Sequence, residues 1–137
     1  MTNEKLGFVV SDYNADITHL MGKIAQEHAE FLGAEVKKVI RVPGTFDIPI
    51  AVKKLADKKD IDGIVTLGAV VEGDTDHDNI VAQNAARKIA DIGVESGKPV
   101  SLGISGPKMS RADAVRRIEG YAKRSTETVV KMIRRLK

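Results

Sequence analysis

The chain has 137 residues, 42% of them hydrophobic, which suits one domain with a buried core. Its 22 Lys and Arg against 19 Asp and Glu leave a net charge of +3, placed unevenly: from Arg111 onward nine basic residues stand against three acidic ones. The absence of cysteine excludes disulfides and thiol chemistry, and no apolar run reaches membrane-spanning length. The basic end carries no interleaved aromatics and no helix-turn-helix or zinc pattern, so nucleic acid is not an expected partner. A solvated helix face that can also supply phosphate ligands is the simpler reading. With no leader-like segment before the first apolar run, the expected compartment is the cytoplasm.

Leu6 to Val10 reads as a short first strand, followed by turn chemistry in Ser11-Asp-Tyr-Asn14. Ile17 to Leu32 repeats apolar residues at helical spacing through Ile17, Leu20, Met21, Ile24, Ala25 and Phe31/Leu32, with His28 on the same side and Gly33 as the C-terminal stop. Val36 to Val42 is a second strand closed by Pro43-Gly44, and Phe46 to Ala56 a second helix with Pro49 in its first turn. Gly63 to Val71 reads as a buried strand and Asp76 to Ser96 as a helix. After Gly97-Lys-Pro99 comes a fourth strand, Val100 to Ser105, then a Gly106–Met109 loop. A final helical stretch has Ser110 as its N-cap and a kink expected near Gly120.

This alternation predicts βαβ units: an α/β, flavodoxin-like three-layer sandwich, residues 1–137 forming one domain, with a four-stranded parallel sheet covered by helices on both faces. In such sheets ligands bind beyond the carboxyl ends of the strands. The loops at that edge are 11–16, 43–47, 71–78 and 105–110, and the unusual sequence of the chain lies in them.

Glu72-Gly-Asp-Thr-Asp-His-Asp78 is the most informative of the four. A Gly/Thr turn entering a helix presents free backbone N–H groups to an anion, and His77 on that turn can carry a proton near neutral pH. The alternating Asp residues suggest calcium, but an EF-hand loop starting at Asp74 needs Gly and Glu where Asn79 and Ala85 stand. A transition metal on His77 and Asp78 would need further ligands, and His19 and His28 on the first helix are poor ones, so no metal is expected. Tyr13 and Asn14 suit a flat heterocycle through an aromatic face and an amide, or form an ordinary turn. Gly44 permits close backbone approach, Thr45 and Asp47 can bond hydroxyls, and Phe46 can pack on a ring. Equally, Thr45 can cap a helix with Phe46 in its core. Arg111, Arg116, Arg117, Lys123 and Arg124 read as surface charge from which one or two reach a phosphate.

Taken in order, Ser11-x-Tyr-Asn14, Val42-Pro-Gly-Thr-Phe-Asp-Ile-Pro49, Leu67-Gly-Ala-Val-Val-Glu-Gly-Asp-Thr-Asp-His77 and Pro99-Val-Ser-Leu-Gly-Ile104, with an Arg-bearing final helix, resemble lumazine synthase of riboflavin biosynthesis across nearly the whole chain. The Glu-Gly-x-Thr-x-His-Asp and Gly-Ile-Ser-Gly-Pro-x-Met wording resembles its archaeal branch. The resemblance implies condensation of 5-amino-6-(D-ribitylamino)uracil with 3,4-dihydroxy-2-butanone 4-phosphate to 6,7-dimethyl-8-ribityllumazine, phosphate and water, without a cofactor. It also implies self-association as pentamers, decamers or icosahedral capsids, with active sites between neighbouring subunits.

By the same resemblance Tyr13 stacks on the pyrimidine beside Asn14; Gly44, Thr45, Phe46 and Asp47 hold the ring and ribityl chain; and Val70 and Val71 border the pyrimidine. Gly73, Asp74 and Thr75 form the phosphate turn, His77 transfers protons, and Arg117 is the phosphate arginine, with Lys123 the nearby lysine. Three positions depart from the family. Asp47 is one methylene shorter than the usual Glu, Asp78 replaces a residue often aromatic in the bacterial branch, and Leu102 stands where many relatives bring a Phe from a neighbouring subunit. The competing readings are an archaeal-type riboflavin synthase, which is not expected to carry Gly-x-Thr-x-His after the third strand, and a non-catalytic shell or flavin-binding protein. A flavodoxin-like FMN binder wants a phosphate loop after the first strand, and 11–16 is not one.

Overall fold

The computed structural model describes residues 3–73 and 75–137. Strands β1 (Lys5–Ser11), β2 (Glu35–Val42), β3 (Gly63–Ala69) and β4 (Val100–Ser105) form one parallel sheet in the order β2-β1-β3-β4. Between them run α1 (Ala15–Phe31), α2 (Ile48–Ala56) and α3 (His77–Ser96), and after β4 come α4 (Arg111–Arg116) and α5 (Ile118–Leu136). The expected α/β sandwich is the observed one.

The layers follow from residue parity along the strands. Leu6, Phe8 and Val10 of β1 and Val65, Leu67 and Ala69 of β3 point to one face, where α1 and α5 cover them with Ile17, Met21, Ala25, Ala122, Val129 and Ile133. Val9 and Ile64 point to the other, under Val52 and Leu55 of α2 and Ala85 and Ile89 of α3. The central strand β3 is buried at every position, the continuous apolar run expected of a strand covered on both faces. Burying a side chain such as Phe8 contributes about 1.5–3 kcal/mol. Helices α1 and α3 both stop at glycines in the left-handed region, Gly33 (φ 84°) and Gly97 (φ 72°), where a side chain would be strained.

Four local expectations shift. The 3₁₀ turn Thr45–Asp47 precedes α2, so Phe46 stands 59% exposed and does not enter the core. On α1, Leu20 and Phe31 face solvent while Ile17, Met21 and Ala25 are buried, which makes the buried stripe narrower than its apolar lettering. Regular β3 pairing ends at Ala69, two residues before the end of the apolar run, although the Val70 N–H still donates to the Ser105 carbonyl at 2.8 Å. Finally, the terminal helix breaks at Arg117 (φ −100°, ψ 5°), not at Gly120. There the Arg117 N–H is shared between the Asp113 and Ala114 carbonyls, a tightened last turn that redirects the chain so that Ile118 and Ala122 enter the core. Ser110 is the N-cap expected, its Oγ accepting the Asp113 N–H at 3.1 Å.

Candidate active site

Because β1 leads to β2 on one side and β3 lies on the other, the chain diverges between β1 and β3, and the loops after those strands part to leave a crevice. A cleft of about 200 Å³ occupies that place. Tyr13 and Asn14 wall it after β1, Gly44 to Asp47 after β2, Ala69 to Val71 after β3, and His77 and Val81 from the first turns of α3. A larger groove of about 410 Å³ runs outside the sheet between α1 and β2, past His19, Lys23, Glu27 and Arg41. It takes nothing from the loops after β2, β3 and β4. Position at the strand ends, more than volume, marks the smaller cleft as the ligand site.

Backbone and side-chain hydrogen bonds together fix the walls. The N–H groups of Asp12 and Tyr13 donate to the Pro43 carbonyl at 3.1 and 2.9 Å, joining the loops after β1 and β2. Asp12 is tied in turn to His19 (3.0 Å) and Arg41 (3.1 Å), and the hydrogen bond from His19, then those and the charge of Arg41, hold its carboxyl below the ordinary range. Asn14 sits in the left-handed region (φ 63°), a conformation Asn tolerates. Its Nδ2 donates to the Ala69 carbonyl at 3.0 Å across the crevice, while its Oδ1 accepts from Arg111 at 3.3 Å. Arg111 also pairs with Asp16, whose carboxyl it holds below the usual value.

Glycine shapes the cleft twice. A Cβ at Gly44 would lie 2.8 Å from the Tyr13 ring, so only bare backbone leaves room for the ring there. At Gly68 a Cβ would meet Thr45 Oγ1 at 2.9 Å and Ser11 Oγ at 3.2 Å, which lets the loops after β1 and β2 close over β3. Thr45 is thus a buried floor residue and Tyr13 a two-thirds exposed wall. Asp47 commits Oδ2 to the Gly44 N–H at 2.9 Å, pinning the 3₁₀ turn and presenting its other oxygen. His77 opens α3 exposed to solvent, its N–H held by Thr75 Oγ1 at 3.3 Å.

The sequence therefore placed nine of its named positions around one cleft: Tyr13, Asn14, Gly44, Thr45, Phe46, Asp47, Val70, Val71 and His77. Gly73 and Thr75 sit exposed on the adjoining turn, and Asp74 lies outside the described residues. Leu102, Arg117 and Lys123 are apart from it. Leu102 is half exposed on edge strand β4 beside Tyr121 and Arg124. Lys123 faces α1 near His28 and Phe31 and bonds Glu119 at 2.7 Å, and Arg117 is exposed at the α4–α5 break. The histidines weighed as metal ligands are occupied elsewhere, His19 with Asp12 and His28 with Glu127 at 2.7 Å. Sequence reasoning missed Val81, although it lies four residues beyond His77 on the same helix face. It also missed Ala69, whose carbonyl role no side chain announces.

A family model described as 6,7-dimethyl-8-ribityllumazine synthase matches residues 3–137. Among curated proteins of that name, the one from Archaeoglobus fulgidus is 60% identical over 137 residues, covering 100% of this chain and 95% of its own. The one from Methanocaldococcus jannaschii is 59% identical over 132 residues, covering 96% and 93%. A third, from Methanothermobacter thermautotrophicus, is 57% identical over 137 residues, covering 100% and 98%.

Proposed function

The chain belongs to the 6,7-dimethyl-8-ribityllumazine synthase family, and from that premise we propose how its cleft carries out the reaction. The enzyme condenses 5-amino-6-(D-ribitylamino)uracil with 3,4-dihydroxy-2-butanone 4-phosphate, giving 6,7-dimethyl-8-ribityllumazine, phosphate and water, the penultimate step of riboflavin biosynthesis. The observation that carries the site assignment is the meeting, in one cleft, of an aromatic wall, an acid and a histidine beside a Gly/Thr turn.

The pyrimidine stacks on Tyr13 with Asn14, Val70 and Val71 at its edges, and Thr45 and Phe46 close the floor and outer wall. Asp47 accepts from ribityl hydroxyls through the oxygen not bonded to Gly44. The turn bearing Gly73 and Thr75 receives the phosphate of the second substrate, with Asp74 assigned to it by the family resemblance alone. The aryl amine attacks the ketone and water leaves to form a Schiff base. Loss of phosphate leaves an enol that tautomerises to a ketone, and the ribityl-bearing nitrogen attacks that carbonyl and closes the ring with loss of a second water. Each step moves a proton, and His77 stands where the phosphate turn meets the cleft to carry it. Holding two already reactive partners in register supplies about 7–11 kcal/mol in well-oriented cases, so orientation and one proton carrier suffice.

Residues 1–137 act as one domain in a homo-oligomer, a pentamer or a larger assembly of pentamers. The separation of Leu102, Arg117 and Lys123 from the cleft of their own protomer supports this, since residues that cannot serve that site can serve a neighbour's. Light scattering reads the assembly directly. Among the described residues no helix is long and apolar enough to cross a membrane, in keeping with a cytoplasmic enzyme. The test of function is to mix the protein with both substrates and follow lumazine absorbance and fluorescence against the uncatalysed rate. A rate above that control, reduced in His77→Ala, supports the assignment. No excess rate, with riboflavin formed from added lumazine, transfers it to a riboflavin synthase.

A further inference from the structure

The turn that carries His77 is exposed from Glu72 through His77 at every described position, and the next residue is not: Asp78 is 9% exposed. A carboxylate at the start of a helix is favoured by the helix dipole, but that needs no burial. Asp78 turns inward. Its Oδ2 accepts the backbone N–H of Lys108 at 3.1 Å, from the loop that follows β4. Five residues before His77 the Glu72 N–H donates to the carbonyl of Met109 at 2.9 Å. The two ends of the turn are therefore clamped to consecutive residues of a single neighbouring loop.

That loop is itself held. The carbonyl of Ser105, at its start, accepts the Val70 N–H, and Lys108 is fixed in the left-handed region (φ 57°), which aims its N–H at Asp78. Asp76, the N-cap of α3, offers no side-chain cap, and the Thr75 bond to the His77 N–H is long at 3.3 Å. Among the described residues of the turn, these are the side-chain contacts that fix where α3 begins. A largely buried side-chain oxygen that accepts from the neighbouring loop is the strongest tether seen there.

The geometry points to Asp78 as a positioning residue: through the Lys108 N–H it sets the width of the phosphate turn and the placement of His77 at the cleft. This rests on the reading of residues 73–75 and His77 given above. A looser turn weakens the hold on the phosphate substrate and misplaces the proton carrier, while the pyrimidine wall is untouched, since most of it stands on the loops after β1 and β2 and Val70 is held separately by the Ser105 carbonyl.

The test is steady-state kinetics on Asp78→Ala and Asp78→Asn with each substrate varied separately, wild type in parallel. Asp78→Ala is expected to lower kcat about tenfold and raise KM for the butanone phosphate several-fold, with KM for the pyrimidine unchanged. Asp78→Asn keeps an acceptor oxygen at the same reach without the charge and restores most of both losses. If charge on the helix dipole were the role, Asn would behave like Ala, and that overturns the proposal. So does a fall in kcat with both KM values unchanged, the mark of a smaller folded fraction. Should the Ala variant fail to fold, Asp78→Ser, too short to reach Lys108, takes its place with the same expected split. Hydrogen exchange at the Lys108 amide, faster in Ala or Ser and protected in Asn, checks the tether independently of turnover; an unchanged rate overturns it. A wild type without synthase activity refutes the catalytic reading and leaves the exchange result standing alone.

Discussion

The two rims of the sheet are built from similar residues and used in opposite ways. At the amino rim charged and polar side chains are consumed by structure. Lys98 Nζ caps the end of α2, bonding the carbonyls of Ala56 (2.8 Å) and Lys58 (2.6 Å), Asp62 accepts the Lys5 N–H at 2.9 Å, and buried Glu4 pairs with Arg134 of α5 at 3.0 Å. At the carboxyl rim backbone groups and the side chains of Asn14, Asp47 and Asp78 join the loops, while Tyr13, Phe46 and His77 remain exposed. Rigidity without saturation is what a site needs.

If that contrast is real, substitutions at the two rims separate activity from stability. His77→Ala has the largest expected effect, cutting kcat by about a hundredfold without abolishing turnover and leaving the melting temperature within error, since its side chain is exposed. Lys98→Met does the reverse, costing about 2 kcal/mol in denaturant unfolding while kcat and both KM values stay at wild type. Gly44→Ala sharpens the comparison, because its methyl group would displace the Tyr13 ring; KM for the pyrimidine should rise about tenfold with little change in kcat. Arg117→Ala should raise KM for the phosphate substrate several-fold and spare the pyrimidine.

The smallest effect is acidic destabilisation at the amino rim. The hydrogen bond from Arg134 holds the Glu4 carboxyl below its ordinary value. Its contribution is therefore present above the unfolded glutamate value, about 4.3, and disappears as pH falls through the lowered folded value. Glu4→Gln should flatten that part of the stability profile in acid melting curves.

The layers were legible in the sequence because burial on both faces forces continuous apolar runs in β1 and β3 and a glycine stop after α1. The cleft was legible because its loops carry residues that no turn requires: a tyrosine next to a left-handed Asn, and a histidine after Gly-x-Thr. What failed to show was decided by contacts far apart in sequence. Nothing near Arg117 announces that the helix must break there, since the break depends on where Ile118 and Ala122 have to land. Phe46 reads in sequence either as a ring contact or as helix core, and the 3₁₀ turn, which faces it outward to the cleft, decides for the first. Asp78 stood out only as an unusual letter, and its partner is a backbone amide thirty residues away.

The ring of Tyr13, resting on bare backbone at the mouth of the cleft, also gives the protein an optical reporter. The chain has no tryptophan and two tyrosines, and the other, Tyr121, lies half covered beside Leu102 of β4. A heterocycle stacked on Tyr13 absorbs in the window where tyrosine emits, so binding quenches one of two emitters and leaves the second as an internal reference. Ligand occupancy can be followed in the unlabelled protein, with Tyr13→Leu as the dark control.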